Sequence, residues 1–131
     1  MPDELEMVLR IVVALVLGGI IGYQRVRADK PAGVRTLALI AAGAALITVV
    51  SVSGFGAEQS RVAAGIVTGI GFLGAGSIIR RGEGIIEGLT TAATIWVAAG
   101  IGLAVGTGFY LVAVVTTVLV LVVLVMARFG I

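Results

Sequence analysis

The chain of 131 residues has no cysteine and no histidine, only two prolines, and charged side chains at just 12% of its positions. Without cysteine there is neither a disulfide framework nor a thiolate metal site. Without histidine the commonest general base and the commonest metal ligand are missing. Soluble domains carry about 25% charged residues, so half that load points to lipid as the solvent. What the chain does have is apolar: 60% hydrophobic residues together with 20 glycines. Forty residues in succession, 88–127, carry no charge. At ~1.5 Å rise per helical residue that run is roughly 60 Å long, about twice the hydrocarbon thickness of a bilayer. It must cross a membrane, turn and cross back.

Five apolar segments follow from the pattern, at about 5–23, 36–53, 62–79, 89–106 and 109–127. Each is long enough to span with little tilt. The fifth is rich in valine, but an open strand in lipid would leave its backbone unsatisfied, so a helix is expected there too. The fold class expected is therefore all-α, a single-domain bundle of five transmembrane helices. Glu6 and Arg10 lie four apart and can pair on one helix face while Arg10 snorkels to the surface. The connections 24–35 and 80–87, with the C-terminal end, hold seven of the nine cations, leaving Arg10 and Arg61 on the other side. The positive-inside rule then places the N-terminus outside and the C-terminus in the cytoplasm. The N-terminus opens on Asp3, Glu4 and Glu6, not on a basic region, so a removable signal sequence is not expected. The cations form no stripe, so no nucleic-acid partner is expected despite a net charge of +2.

The third segment carries Gly65, Gly69, Gly71, Gly74 and Gly76, and small residues let membrane helices approach closely. It is expected at the centre of the bundle, with the bulky fifth segment at the lipid-facing edge. Gly65-x-x-x-Gly69 is repeated in form by Gly18-x-x-x-Gly22 and Gly102-x-x-x-Gly106. The string Gly69-Ile70-Gly71-Phe72-Leu73-Gly74 spells a dinucleotide-binding fingerprint, but that mechanism needs a preceding strand and a helix opening at the turn. Here it lies inside a span, and no cofactor is expected.

Apart from Glu6 near one entrance, the spans hold no Asp, Glu, Asn, Gln or His. A dehydrated divalent cation needs hard oxygen ligands, usually carboxylates, so no metal site is expected. No nucleophile–base pair exists either, so no enzyme activity is expected. The interior candidates are hydroxyls. Thr90 and Thr94 share a helix face and could line a polar seam with Thr68 or Ser77; ordinary interhelical hydrogen bonding is the favoured account of them and of Thr91. The densest polar feature is the first loop, with Arg25, Arg27, Asp29, Lys30, Pro31, Gly33, Arg35 and Thr36. It serves as a topology signal against anionic headgroups, or it pairs Arg25 and Arg35 with Glu83 or Glu87, or it docks a partner.

Those residues carry a resemblance. The run Ile21-Gly22, Arg25, and Lys30-Pro31-Ala32-Gly33-Val34-Arg35-Thr36 resembles the first loop of the MgtC/SapB family of bacterial membrane proteins. So do Arg61-Val62-Ala63-Ala64, then Gly69 through Gly76, then Gly88-Leu89-Thr90-Thr91-Ala92-Ala93-Thr94-Ile95-Trp96. The resemblance implies a five-span inner-membrane protein involved in adaptation to low magnesium and, in pathogens, in virulence. It marks Arg25, Pro31, Gly33, Arg35, Thr36, Arg61, Gly69, Gly71, Gly74, Gly76, Thr90, Thr91, Thr94 and Trp96 as candidate functional positions. It departs from the family pattern at Gln24, Val26, Leu37 and Gly65. Longer relatives add a cytoplasmic domain, so the chain is expected to be a short SapB-like member or the membrane domain of a longer protein. Membrane lipids, a second copy of the chain in a dimer, and another membrane complex such as ATP synthase are the partners implied. The reading is a regulator of magnesium homeostasis acting by contacts within the membrane; the alternative is a small oligomeric channel or transporter.

Overall fold

The computed structural model describes residues 2–54, 59–80 and 86–131. It contains five helices: α1 (Glu4–Arg27), α2 (Val34–Gly54), α3 (Gln59–Gly76), α4 (Leu89–Gly106) and α5 (Tyr110–Val125). A 3₁₀ turn, Met126–Phe129, continues α5. Four stretches are long and apolar enough to cross a membrane: α1, α2, α4, and α5 with its terminal turn. The fifth apolar helix, α3, is shorter, with Ser60–Gly76 as its apolar stretch. This is the expected all-helical membrane bundle.

The boundaries differ where local chemistry outruns hydropathy. α1 continues through Arg25 and Arg27, well past the expected end of the first span at Tyr23. No proline interrupts it, and cations in its last turn, Arg25 and Arg27, complement the negative end of the helix dipole. At its other end Asp3 caps the helix, accepting from the Glu6 backbone N–H at 2.8 Å. α3 starts and stops three residues earlier than expected, so Ile79 leaves the helix. Ile79 and Arg80 (β1) instead pair antiparallel with Ile86 and Glu87 (β2), Ile79 opposite Glu87. This two-rung ladder was not anticipated. α4 spans Leu89–Gly106, the range the pattern indicated.

The core lies where α1, α2 and α4 meet. Ile21, Leu37, Val49, Ile101 and Val105 are its largest fully buried side chains, interleaved with Ala14, Ala41, Ala45 and Ala98. Two of the three glycine repeats do the packing. A Cβ added at Gly18 would meet the Leu37 carbonyl oxygen and the Ala41 side chain, and one at Gly22 would lie 2.5 Å from the Gly33 oxygen. On the opposite side, a Cβ at Gly102 would strike the Ala41 carbonyl, and one at Gly106 would come within 2.7 Å of Thr48 Cβ. α2 is therefore held backbone-close between α1 and α4.

The third repeat does not pack, and the expected central place of α3 is overturned. Among the described residues, an added Cβ at Gly65, Gly69, Gly71 or Gly76 would meet nothing within 4 Å, and only Gly74 approaches a neighbour, 3.4 Å from the Ala92 carbonyl. Ile66 and Gly74 are the buried residues of α3 among those described. Glycine spacing gives a helix the capacity for close approach, but α2 offers its Ala38–Ala41–Ala45–Thr48 small-residue face to α1 and α4 instead. α5 sits at the edge as expected: Leu111, Leu119 and Val123 are exposed, and Ala113, Thr117 and Leu124 anchor it.

Gly102→Ala should therefore lower the thermal midpoint in detergent, at a cost of about 1–3 kcal/mol from overpacking. Gly69→Ala should hold or raise it, because alanine favours a helix over glycine by up to ~1 kcal/mol. Melting curves followed by circular dichroism check this; equal losses at both sites would place the open face of α3 in a packed interface.

Candidate functional site

Arg25 leaves the last turn of α1 and is buried, with 3% of its surface exposed. Its Nε donates to the Pro31 carbonyl oxygen at 3.1 Å, and its Nη2 donates to Thr91 Oγ1 in the first turn of α4. One guanidinium thus joins α1, the α1–α2 connection and α4. Hydrogen bonds from a charged donor are stronger than neutral ones, and the planar fork can hold two acceptors at fixed angles.

The connection beneath it is short, residues 28–33, and tightly tied. Lys30 N–H donates to the Arg25 carbonyl at 2.9 Å, and Ala28 N–H to that of Gln24 at 3.0 Å. Asp29 and Ala32 adopt left-handed backbone at φ 56° and 62°. Such values are unfavourable for a residue with a Cβ, and at Ala32 that carbon packs against the core. Gly33 sits under Val26, where an added Cβ would lie 3.0 Å from Cγ2. Arg25, Pro31, Gly33 and Thr91 are therefore one cluster. Next to it Gln24 Oε1 is buried without a hydrogen-bond partner among the described residues. Arg35 and Thr36 are exposed on the outer side of α2 and do not join it. The side chains of Glu83 and Glu87, considered as partners for Arg25 or Arg35, lie outside the described part of the structure.

The hydroxyls form no seam. Thr94 Oγ1 donates to the Thr90 carbonyl at 2.7 Å within α4, and Ser77 Oγ, just past the end of α3, to that of Gly74 at 2.7 Å. Thr90 and Thr68 are exposed. Back-bonding of this kind spends a hydroxyl on its own preceding turn, so the expected interhelical bonding is absent at Thr94 and Ser77 and present at Thr91. Gly69, Gly71 and Gly76 face outward on α3, Arg61 is exposed near its start, and Trp96 is exposed on α4. Trp96 lines a groove of about 280 Å³ with Ile66, Val67, Gly100, Ala104 and Ala113, between α3, α4 and α5. Among the described residues no three His, Cys, Asp or Glu side chains gather in one place.

A second polar cluster closes the opposite end. Glu6 Oε1 accepts from Arg10 Nε at 3.2 Å and from the Tyr110 hydroxyl at 2.7 Å, while Arg10 Nη1 donates to the Gly106 carbonyl at 2.9 Å. The Glu6–Arg10 pair was expected. Instead of snorkelling, Arg10 caps the carbonyl end of α4. The signal for this was the Gly106-Thr107-Gly108 turn, which leaves a helix carbonyl without an intrahelical donor.

With this arrangement established, the family's sequence profile matches residues 11–129. The chain belongs to the MgtC family. A Haemophilus influenzae protein of unassigned function is 43% identical to it over 131 aligned positions, covering 92% of this chain and 55% of the relative. YhiD of Escherichia coli K12, which bears a provisional magnesium-transporter name, is 44% identical, covering 91% of this chain and 59% of YhiD. The MgtC protein of Salmonella typhimurium is 44% identical, covering 87% of this chain and 49% of the relative. The chain spans about half the length of the curated relatives it matches. No solved structure matches it.

Thr91→Val should destabilise this MgtC-family bundle by about 1–3 kcal/mol, because it strips a buried donor of its acceptor without changing side-chain volume. Arg25→Lys should be worse, since a point ammonium cannot serve the Pro31 carbonyl and the Thr91 hydroxyl with the same geometry. Thermal midpoints in detergent test both. A neutral Arg25→Lys would mean that the two bonds hold nothing.

Proposed function

We propose that the chain is the membrane part of a bacterial inner-membrane regulator in magnesium homeostasis, acting through contacts made inside the bilayer, with its N-terminus outside and its C-terminus in the cytoplasm. The observation that carries this reading is the uncovered glycine face of α3, beside the apolar groove under Trp96. Small-residue faces are what membrane helices use to approach one another, and this one has no partner among the described residues. A second copy of the chain, in a dimer, or a helix of another membrane complex such as ATP synthase would cover it. Membership of the MgtC family and the magnesium-related name of YhiD support the physiological setting.

The name of YhiD also favours the second reading, a small oligomeric channel or transporter for magnesium or another ion. Flux into liposomes separates the two. Regulation predicts magnesium and proton flux no greater than in empty vesicles, and flux well above that level would establish conduction.

Gly69→Leu should leave the thermal midpoint within about 0.5 kcal/mol of the parent, as surface substitutions do. It should nevertheless abolish rescue of a deletion strain in low-magnesium medium and remove dimer cross-links in native membranes. Full rescue by this variant would end the proposal that α3 is the contact face.

A further inference from the structure

The end of the bundle where α1 gives way to α2 displays three exposed cations, Arg27, Lys30 and Arg35. None of the three forms an ion pair among the described residues, and the Arg10–Glu6 salt bridge lies at the opposite end. Asp29 is the sole acidic residue in the connection, and the first turn of α2 has none. The buried guanidinium of Arg25 adds a further positive charge beneath them. Such a concentration of one sign attracts an anion, and its place at the boundary of two membrane-crossing helices selects the kind.

Below the cations the surface is apolar. Tyr23 and Val26 are exposed on α1, four and one residues before Arg27, and Leu39 is exposed four residues after Arg35 on α2. Residues three or four apart share a helix face, so Arg27 stands above exposed Tyr23 on α1 and Arg35 above exposed Leu39 on α2. The backbone that presents them is fixed. Lys30 is tied to Arg25 through its N–H, Pro31 is held by the Arg25 side chain, and Gly22 brings α1 against Gly33 and Val34.

We infer that Arg27, Lys30 and Arg35 form a preorganised site for one anionic phospholipid, with the phosphodiester on the cations and an acyl chain along Tyr23, Val26 and Leu39. A rigid site with this charge binds a lipid that a flexible basic loop would only attract, because the ordering cost is met by the fold.

The test uses the whole chain in nanodiscs of phosphatidylcholine, with or without phosphatidylglycerol, read by thermal midpoint and by lipid retained in native mass spectrometry. Phosphatidylglycerol should raise the midpoint and co-purify. Arg35→Gln and Lys30→Gln should each lower its retention about fivefold, the effect of one basic residue at a membrane surface. Arg128→Gln removes a cation from the terminal turn after α5, outside the site, and should leave retention within about twofold. Midpoints in phosphatidylcholine alone show that each variant folds; if Arg35→Gln does not, Lys30→Gln and Arg35→Lys decide, the latter retaining lipid because it keeps the charge. Equal losses from Arg128→Gln and Arg35→Gln would replace the site by diffuse surface charge. A midpoint rise produced by inorganic phosphate alone in detergent would make it a free-anion site. Either result overturns the inference.

Discussion

The structure depends on how closely α2 can approach its two neighbours. In lipid no hydrophobic force draws helices together, since a hydrocarbon tail is as apolar as leucine, and association falls to close packing and polar contacts. α2 meets α1 through Gly18 and Gly22, and α4 through Gly102 and Gly106, with backbone against backbone on both sides. At such separations many weak dispersion contacts form at once. The alanines of α2 serve both neighbours because they are small on every side of the helix. A bulkier α2 would keep one partner at the expense of the other.

Polar bonds then fix what packing alone would leave free to slide. Arg10 and Arg25 both belong to α1 and stand fifteen residues apart; so do Thr91 and Gly106 on α4. Arg25 reaches Thr91 at the start of α4, and Arg10 reaches the Gly106 carbonyl at its end. The two helices run antiparallel with matched spacing, so slipping by one turn breaks both bonds together. Arg25 also holds the α1–α2 connection through Pro31, so the same residue that sets the helix register shapes the loop.

Much of this was legible in the residues. Five apolar segments, the limits of α4, the edge position of α5 and the Glu6–Arg10 pair follow from hydropathy, charge spacing and the Gly106-Thr107-Gly108 turn. What could not be read depends on two helices at once. Gly65 and Gly69 repeat the spacing of Gly18 and Gly22, yet only the latter face a surface of matching small residues. Thr90, Thr91 and Thr94 look alike in sequence, and only Thr91 points at a donor on another helix. The paired strands at Ile79 and Ile86 carry no alternation to announce them. By hydropathy Arg25 falls in the first loop; that it is buried follows from α1 continuing past Tyr23, which hydropathy does not register.

The long sequence separation of the two arginine bonds has a consequence for biogenesis. Arg25 and Thr91 are 66 residues apart, and Arg10 and Gly106 are 96 apart. Synthesis delivers α1 and α2 first, and these can already close as a hairpin on their glycine contacts. Both guanidiniums must then wait in the headgroup layers at opposite faces of the membrane until α4 emerges from the ribosome. The nascent hairpin is thus held open to its later neighbour by the cost of burying two cations that each still lack their acceptor on α4, and assembly is completed only when the fourth helix arrives to supply it.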